Sequence, residues 1–220
     1  MSRASLVFDL DGTLVDTAPD LVRVLDTVVA RHGVKAVNYN RIRNLIGFGA
    51  RALITKALSD ACVVVPDSEV DDMQAEFLTL YSQDIAQLSR PFDGVEETLA
   101  VLKRRGFDLS VATNKPGWLA RPLLEALDMS LYFDTVIGGD EPDAKKPDAA
   151  HIYAACGHRA TRPIVVIGDS PPDAGAARNA GATCILMSYG YSAVAIESLK
   201  ADVILRKFRE IPSALQSLLK

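Results

Sequence analysis

Short apolar runs alternate with stretches of helical periodicity along most of this chain. The run Leu6-Val7-Phe8 within Ser5–Leu10 ends in acidic residues and Gly12, as a buried parallel strand opening into a loop does. From Pro19, Leu21, Val24, Leu25, Val28 and Val29 recur at i, i+3, i+4, i+7 and i+8, up to Gly33. That spacing predicts an amphipathic helix with a glycine stop. Residues from about 40 to 89 read as helical, interrupted at Gly47-Phe48-Gly49 and around Pro66. Within them Ser68-x-x-Asp71 predicts a helix start, and Val63-Val64-Val65 is the one run of strand character.

After Pro91-Phe92-Asp93-Gly94 the rhythm changes. Asp93-x-x-Glu96 predicts a capped helix through Val95, Leu99 and Leu102 that stops at Gly106. Strands are expected at 107–113, 133–137, 163–167, 183–187 and 202–205, with helices at 119–127, 151–156, 174–180 and the C-terminus. Strands alternating with helices are the signature of βαβ units. The expected fold class is α/β, a doubly wound, mainly parallel, Rossmann-like sheet formed by 1–16 and 91–220. Residues 17–90 are expected as an inserted all-helical cap domain.

Composition narrows the class. Of 220 residues, 49% are apolar and 24% charged, which excludes a disordered or collagen-like chain. No apolar run approaches the ~18 residues of a membrane helix. The N-terminal run meets Asp9 after three apolar positions, fewer than the roughly seven of a secretory segment, so a cytoplasmic protein with no membrane partner is expected. Cys62, Cys156 and Cys184 have no CxxC spacing and read as reduced, mostly buried thiols. With three histidines lacking ligand spacing to any cysteine, a zinc site is not expected. A net charge of −4 gives no footprint for nucleic acid. A monomer or homodimer is expected.

In an open parallel sheet, ligands bind beyond the carboxyl ends of the strands. There the chain puts Asp9-Leu10-Asp11-Gly12-Thr13, Thr113-Asn114, Lys145-Lys146 and Gly168-Asp169-Ser170, with Asp173 close behind. Four acidic groups in a small volume repel one another unless a hard cation joins them, and all-oxygen ligation suits Mg²⁺. A carboxylate is a competent nucleophile toward phosphorus. A second carboxylate two residues on can protonate a leaving alkoxide and later deprotonate water. Thr113, backbone N–H groups and a lysine can hold the transferring oxygens. Taken singly, each cluster also has a plain reading as a turn, a helix cap or a solvated charge pair.

These four clusters, in order, resemble the motifs of the haloacid dehalogenase superfamily of aspartyl phosphatases. FDLDGTLVD at the first strand is the most specific. Within that superfamily the chain resembles bacterial phosphoglycolate phosphatases, through PFDGVEETLAVLKRRGFDLSVATNKP, PLLEALDMSLYFDTVIGGDE, KKPDA and the YGY at 189–191. The resemblance implies Asp9 as nucleophile and Asp11 as general acid/base. It implies Mg²⁺ on the Asp9 carboxylate, the Asp11 carbonyl and Asp169, with Asp173 in support. Thr113 and Asn114 would hold the phosphoryl group, Lys146 would pair with Asp9 and the phosphate, and Thr13, which fits the phosphatase form of the first motif, would join them in binding substrate. Two departures stand out. Pro171-Pro172 replaces a polar pair, removing two N–H donors but suiting a first helical turn, so Asp173 is expected to keep its position. Ala149 replaces a second proline after the lysine, which predicts a looser loop.

The same resemblance makes the Gly47–Arg51 segment a substrate-specificity loop over the cleft. Gly49 would approach the substrate, and Arg51 would either meet the carboxylate of a two-carbon phosphoacid or stand as an exposed helix residue. Phe48 is open as a core anchor, His32 is expected as a helix C-terminal cation and Trp118 as packing. The implied activity is hydrolysis of a small phosphorylated metabolite, with 2-phosphoglycolate foremost. The alternatives are a β-phosphoglucomutase-like phosphotransferase, a phosphatase of another sugar phosphate or nucleotide, and a non-catalytic protein on the same fold.

Overall fold

The structure, a computed structural model, describes residues 4–161 and 163–219. Strand β1 (Ser5–Phe8) is fully buried. It leads through a tight turn to β2 (Val15–Asp16), which pairs antiparallel with β3 (Arg90–Pro91). Between β2 and β3 lie α1 (Ala18–Ala30), α2 (Tyr39–Arg43), α3 (Ala50–Asp60) and α4 (Asp67–Gln83). Then follow α5 (Val95–Arg104), β4 (Asp108–Ala112), α6 (Gly117–Ala126), β5 (Thr135–Ile137) and α7 (Ala149–Cys156). The chain finishes with β6 (Ile164–Gly168), α8 (Pro171–Asn179), β7 (Thr183–Met187), β8 (Val203–Leu205) and α9 (Ile211–Leu218).

Six strands form one parallel sheet in the order β5-β4-β1-β6-β7-β8. Both faces are covered, which is why the strands read as unbroken apolar runs. Alternation along β1 sends Val7 to one face and Leu6 and Phe8 to the other. Val7 meets α7 and α8, whose small residues Ala155, Ala174 and Ala177 allow close approach. Leu6 and Phe8 join a larger cluster that runs through α5, α6 and α9 and on into α1, α3 and α4. The helical insert therefore shares an apolar core with the sheet. Among the described residues, no helix is long and apolar enough to cross a membrane.

Where boundaries differ from the sequence pattern, the reasons are local. Val63-Val64-Val65 forms no strand: it links α3 to α4 with Val64 95% exposed, since β-branched residues need a partner strand to pack against. Helix α4 starts at Asp67 behind Pro66, leaving Ser68 inside the first turn. Asp93 does not cap α5. Gly94 takes that position at φ 80°, while Asp93 pairs with Arg209 at 2.6 Å. Helix α8 starts three residues before the expected 174 because Pro171 and Pro172 occupy its first turn. Ala149 opens α7, and the loop before it is closed by Asp148, whose side chain accepts from the Ala150 N–H at 2.8 Å. Cys156 and Cys184 are buried as expected, but Cys62 is exposed.

One buried acid has no sequence signal. Asp20 in α1, 0% exposed, accepts from the N–H groups of Leu88 (2.8 Å) and Ser89 (2.7 Å), the Ser89 hydroxyl (2.7 Å) and Arg23. It ties the segment returning to β3 onto the first cap helix. Asp20→Ala leaves those buried donors unpaired and is expected to cost about 3 kcal/mol, read as a lowered urea midpoint with an unchanged m-value.

Candidate active site

The carboxyl ends of β1, β4 and β6, adjacent in the sheet, converge below the helical insert. After β1 the chain reverses sharply: the N–H groups of Leu14 and Val15 both donate to the Leu10 carbonyl at 3.0 Å. Gly12 makes the reversal possible at φ +86°, and a Cβ there would lie 2.7 Å from Asp169 Oδ2. Glycine is thus required twice, for its dihedral and for its lack of a side chain.

Lys146 is the centre of the site. Its Nζ lies 2.7 Å from Asp9 Oδ1 and 2.7 Å from Asp173 Oδ1, and its side chain is 2% exposed. The second Asp173 oxygen accepts from the Asp169 N–H (3.2 Å), the Ser170 N–H (3.1 Å) and the Ser170 hydroxyl (2.6 Å). Pro171-Pro172 has therefore not displaced Asp173, which folds back over the helix start. Burial works against the Lys146 charge, but Asp173 and Asp9 outweigh it and hold the ammonium above the usual lysine range. The lysine backbone is pinned on both sides. Its N–H donates to His151 Nδ1 at 3.1 Å, and its carbonyl accepts from Asn114 Nδ2 at 3.1 Å. Because His151 Nδ1 is an acceptor, Nε2 carries the proton and donates to the Ile137 carbonyl at 3.2 Å. Burial and the Lys146 charge push this imidazole down to about 4, so it stays neutral. In the sequence His151 shows only a helix position and no ligand spacing to a cysteine.

Carboxylate oxygens of Asp9, Asp169 and Asp173 lie within 4.8 Å of one another. Asp169 is fixed by the Thr13 hydroxyl on Oδ1 (2.6 Å) and the Tyr191 N–H on Oδ2 (2.7 Å). Thr13 thus gives its hydroxyl to Asp169 rather than to a phosphoryl position. Burial, Asp173 and Asp9 together raise the Asp169 carboxyl well above its ordinary range. Burial and Asp173 push Asp9 up to about 7 against the pull of Lys146. A cluster that resists its own ionisation in this way has the donor set of a hard divalent cation.

Asp11 stands outside that cluster. Its carboxylate accepts from the Thr17 hydroxyl (2.7 Å) and pairs with Lys115 Nζ at 3.1 and 3.4 Å. Lys115 directly follows Thr113-Asn114 at the end of β4, and only the fold reveals its partner. Burial opposes its charge, and Asp11 with Tyr81 raises it above the usual lysine range. The Lys115 ammonium also lies 4.6 Å from the centre of the Tyr81 ring. Thr113, 1% exposed, takes the Lys115 N–H on its hydroxyl at 3.2 Å, so neither it nor Asn114 caps α6, whose cap position is Pro116.

Between insert and sheet is a cavity of about 60 Å³ lined by Gly47, Gly49, Leu53, Tyr81, Asp11 and Lys115, among others. Gly49 faces this space. Arg51 takes the second of its two readings: its guanidinium bonds Asp67 and Asp71 on the surface of α4. Two carboxylates at the start of a neighbouring helix outcompete a cleft whose positive charge Lys115 already supplies. Phe48 is 52% exposed and anchors no core, and Trp118 is half exposed. His32 pairs with Glu69 at 3.2 Å instead of capping α1. From the cap, Arg43 donates to the carbonyls of Tyr189 (2.7 Å) and Gly190 (2.9 Å) and stacks over the Tyr191 ring.

Two measurements test this arrangement. Asp173→Ala leaves a buried ammonium short of one partner and is expected to destabilise the fold by roughly 3–5 kcal/mol in denaturant unfolding. Asp9 binds its proton in the folded state up to about pH 7, but only to about 3.8 when unfolded. Its contribution is therefore full below pH 3.8 and is lost as pH rises toward 7. His151, shifted the opposite way, cancels in a comparison of variants. In EDTA, the melting temperature of Asp9→Asn relative to the parent should climb between pH 4.5 and 7.5.

Residues 6–187 match the family model described as haloacid dehalogenase-like hydrolase. A phosphoglycolate phosphatase of Caulobacter vibrioides is 40% identical, with 100% of this chain and 93% of that protein covered. An N-acetylmuramic acid 6-phosphate phosphatase of Pseudomonas aeruginosa is 34% identical over 87% of this chain and 84% of its own length. A crystal structure from Haemophilus somnus, described as a predicted phosphoglycolate phosphatase, superposes with a TM-score of 0.90 at 30% identity. It covers 98% of this chain and 99% of that one. With its acidic centre at the strand ends and these likenesses along its length, the chain belongs to the haloacid dehalogenase-like hydrolases.

Proposed function

We propose that this enzyme is a magnesium-dependent phosphatase that hydrolyses 2-phosphoglycolate to glycolate and phosphate through an aspartyl-phosphate. The observation that carries the proposal is the Lys146 ammonium held between Asp9 and Asp173, beside Asp169. Asp9 is the nucleophile. Lys146 cancels part of the charge between its carboxylate and an approaching phosphate. The Asp9 and Asp169 carboxylates and the Asp11 carbonyl would hold Mg²⁺, which supplies the remaining charge cancellation between two anions. Asp173 has both oxygens engaged by protein donors, so it supports from behind.

The Asp9 oxygen attacks phosphorus as the bond to the leaving oxygen breaks, and Asp11, entering this step protonated with Lys115 turned from it to the substrate, gives that oxygen its proton. Asp11 then takes a proton from the water that cleaves the acyl phosphate. Thr113 and neighbouring N–H groups hold the transferring oxygens. Residues 17–90 act as a lid that keeps other water from the intermediate. The substrate assignment rests on the named relatives and on the cavity of about 60 Å³, which has room for a leaving group of a few non-hydrogen atoms.

Asp9→Asn is expected to lower kcat by 10³-fold or more with its fold intact by circular dichroism. EDTA should silence phosphate release from 2-phosphoglycolate, and added Mg²⁺ should restore it. With β-glucose 1-phosphate, any turnover should yield free phosphate; glucose 6-phosphate as product would overturn hydrolysis in favour of phosphotransfer.

A further inference from the structure

Tyr81 lies on the buried stripe of α4 that runs Val70, Met73, Phe77, Tyr81, a spacing that reads as core packing. Its ring stacks on Phe77 as packing requires, but its hydroxyl does not fit that role. Tyr81 is 1% exposed, and among the described residues its hydroxyl has no hydrogen-bond partner of normal geometry, although the Lys115 ammonium beside it acts on the phenol. A buried phenol ordinarily finds one, and Phe would fill the same space without the desolvation cost. Tyr81 also lines the cavity between insert and sheet, together with Lys115 and Asp11.

We infer that the Tyr81 hydroxyl, with the Lys115 ammonium, reads an anionic group on the leaving end of the phosphomonoester, a carboxylate in the case of 2-phosphoglycolate. The inference rests on the proposed function and deepens it. Both groups are donors and Lys115 is charged, so the complementary ligand is an anionic acceptor. Asn114 Oδ1, the other buried side-chain atom without a partner among the described residues, is an acceptor and cannot take that part. Arg51 cannot either, because its guanidinium is engaged on the cap surface. The walls around the two donors are apolar, including Leu21, Ile46, Leu53 and Phe77, so a misplaced polar leaving group finds no compensation there. A phenol suits the task because Lys115 already has Asp11 as counter-ion, and a second buried cation would need one of its own. Tyr81 thereby makes α4, and not only the Gly47–Arg51 loop, a determinant of specificity.

The test compares 2-phosphoglycolate with ethyl phosphate, which keeps the two-carbon leaving group but lacks the carboxylate, using the full chain with Mg²⁺. In the parent enzyme the KM for ethyl phosphate should exceed that for 2-phosphoglycolate. In Tyr81→Phe the ratio of the two should fall by roughly 10-fold or more, through a raised KM for 2-phosphoglycolate with kcat little changed. Circular dichroism and thermal melting check that the variant is folded. If the parent prefers 2-phosphoglycolate and Tyr81→Phe keeps that preference undiminished, the role of Tyr81 is overturned while the proposed function stands. If the parent itself handles both esters equally, the carboxylate substrate fails, and the inference fails with it.

Discussion

One ammonium makes the rest of this centre possible. Asp9, Asp169 and Asp173 could not be packed within a few ångströms at the end of a buried sheet if nothing offset their mutual repulsion. Lys146 touches two of them and is nearly sealed from water. The pairing has a cost: desolvation opposes every charge involved, and the raised carboxyls of Asp9 and Asp169 show that one cation does not suffice. The balance leaves a centre short of positive charge, with two carboxyls held above their ordinary range.

The surrounding structure keeps that lysine still. His151 and Asn114 hold its backbone, and the start of α8 holds its partner Asp173. A second, separate pair, Lys115 with Asp11, occupies the side of the cleft facing the cap. In the proposed reaction, the first pair would serve bonding to phosphorus and the second the leaving group and its proton. Asp9 and Asp11, two residues apart just after β1, set the distance between them.

Much of this was legible in the sequence, and the reason is periodicity. Strands buried on both faces read as short apolar runs, so their ends, and the polar clusters Asp9-x-Asp11, Thr113-Asn114, Lys146 and Asp169, can be placed from the sequence alone. Residues whose role depends on who faces them were not legible. Lys115 looks like a surface lysine until Asp11 is seen opposite. Tyr81 has the spacing of a core residue, and His151 and Asp20 the look of ordinary helix positions. Arg51 has two readings in the sequence, and Asp67 and Asp71 of α4, close in space and distant in sequence, decide for the exposed one.

The Tyr189-Gly190-Tyr191 turn adds a mechanical constraint. Arg43, on the cap, grips two of its carbonyls, while the adjoining N–H of Tyr191 steadies Asp169. Swinging α2 outward to admit or release a ligand must strip the guanidinium from that turn. One short turn thus fastens the cap on one side and the acidic floor on the other.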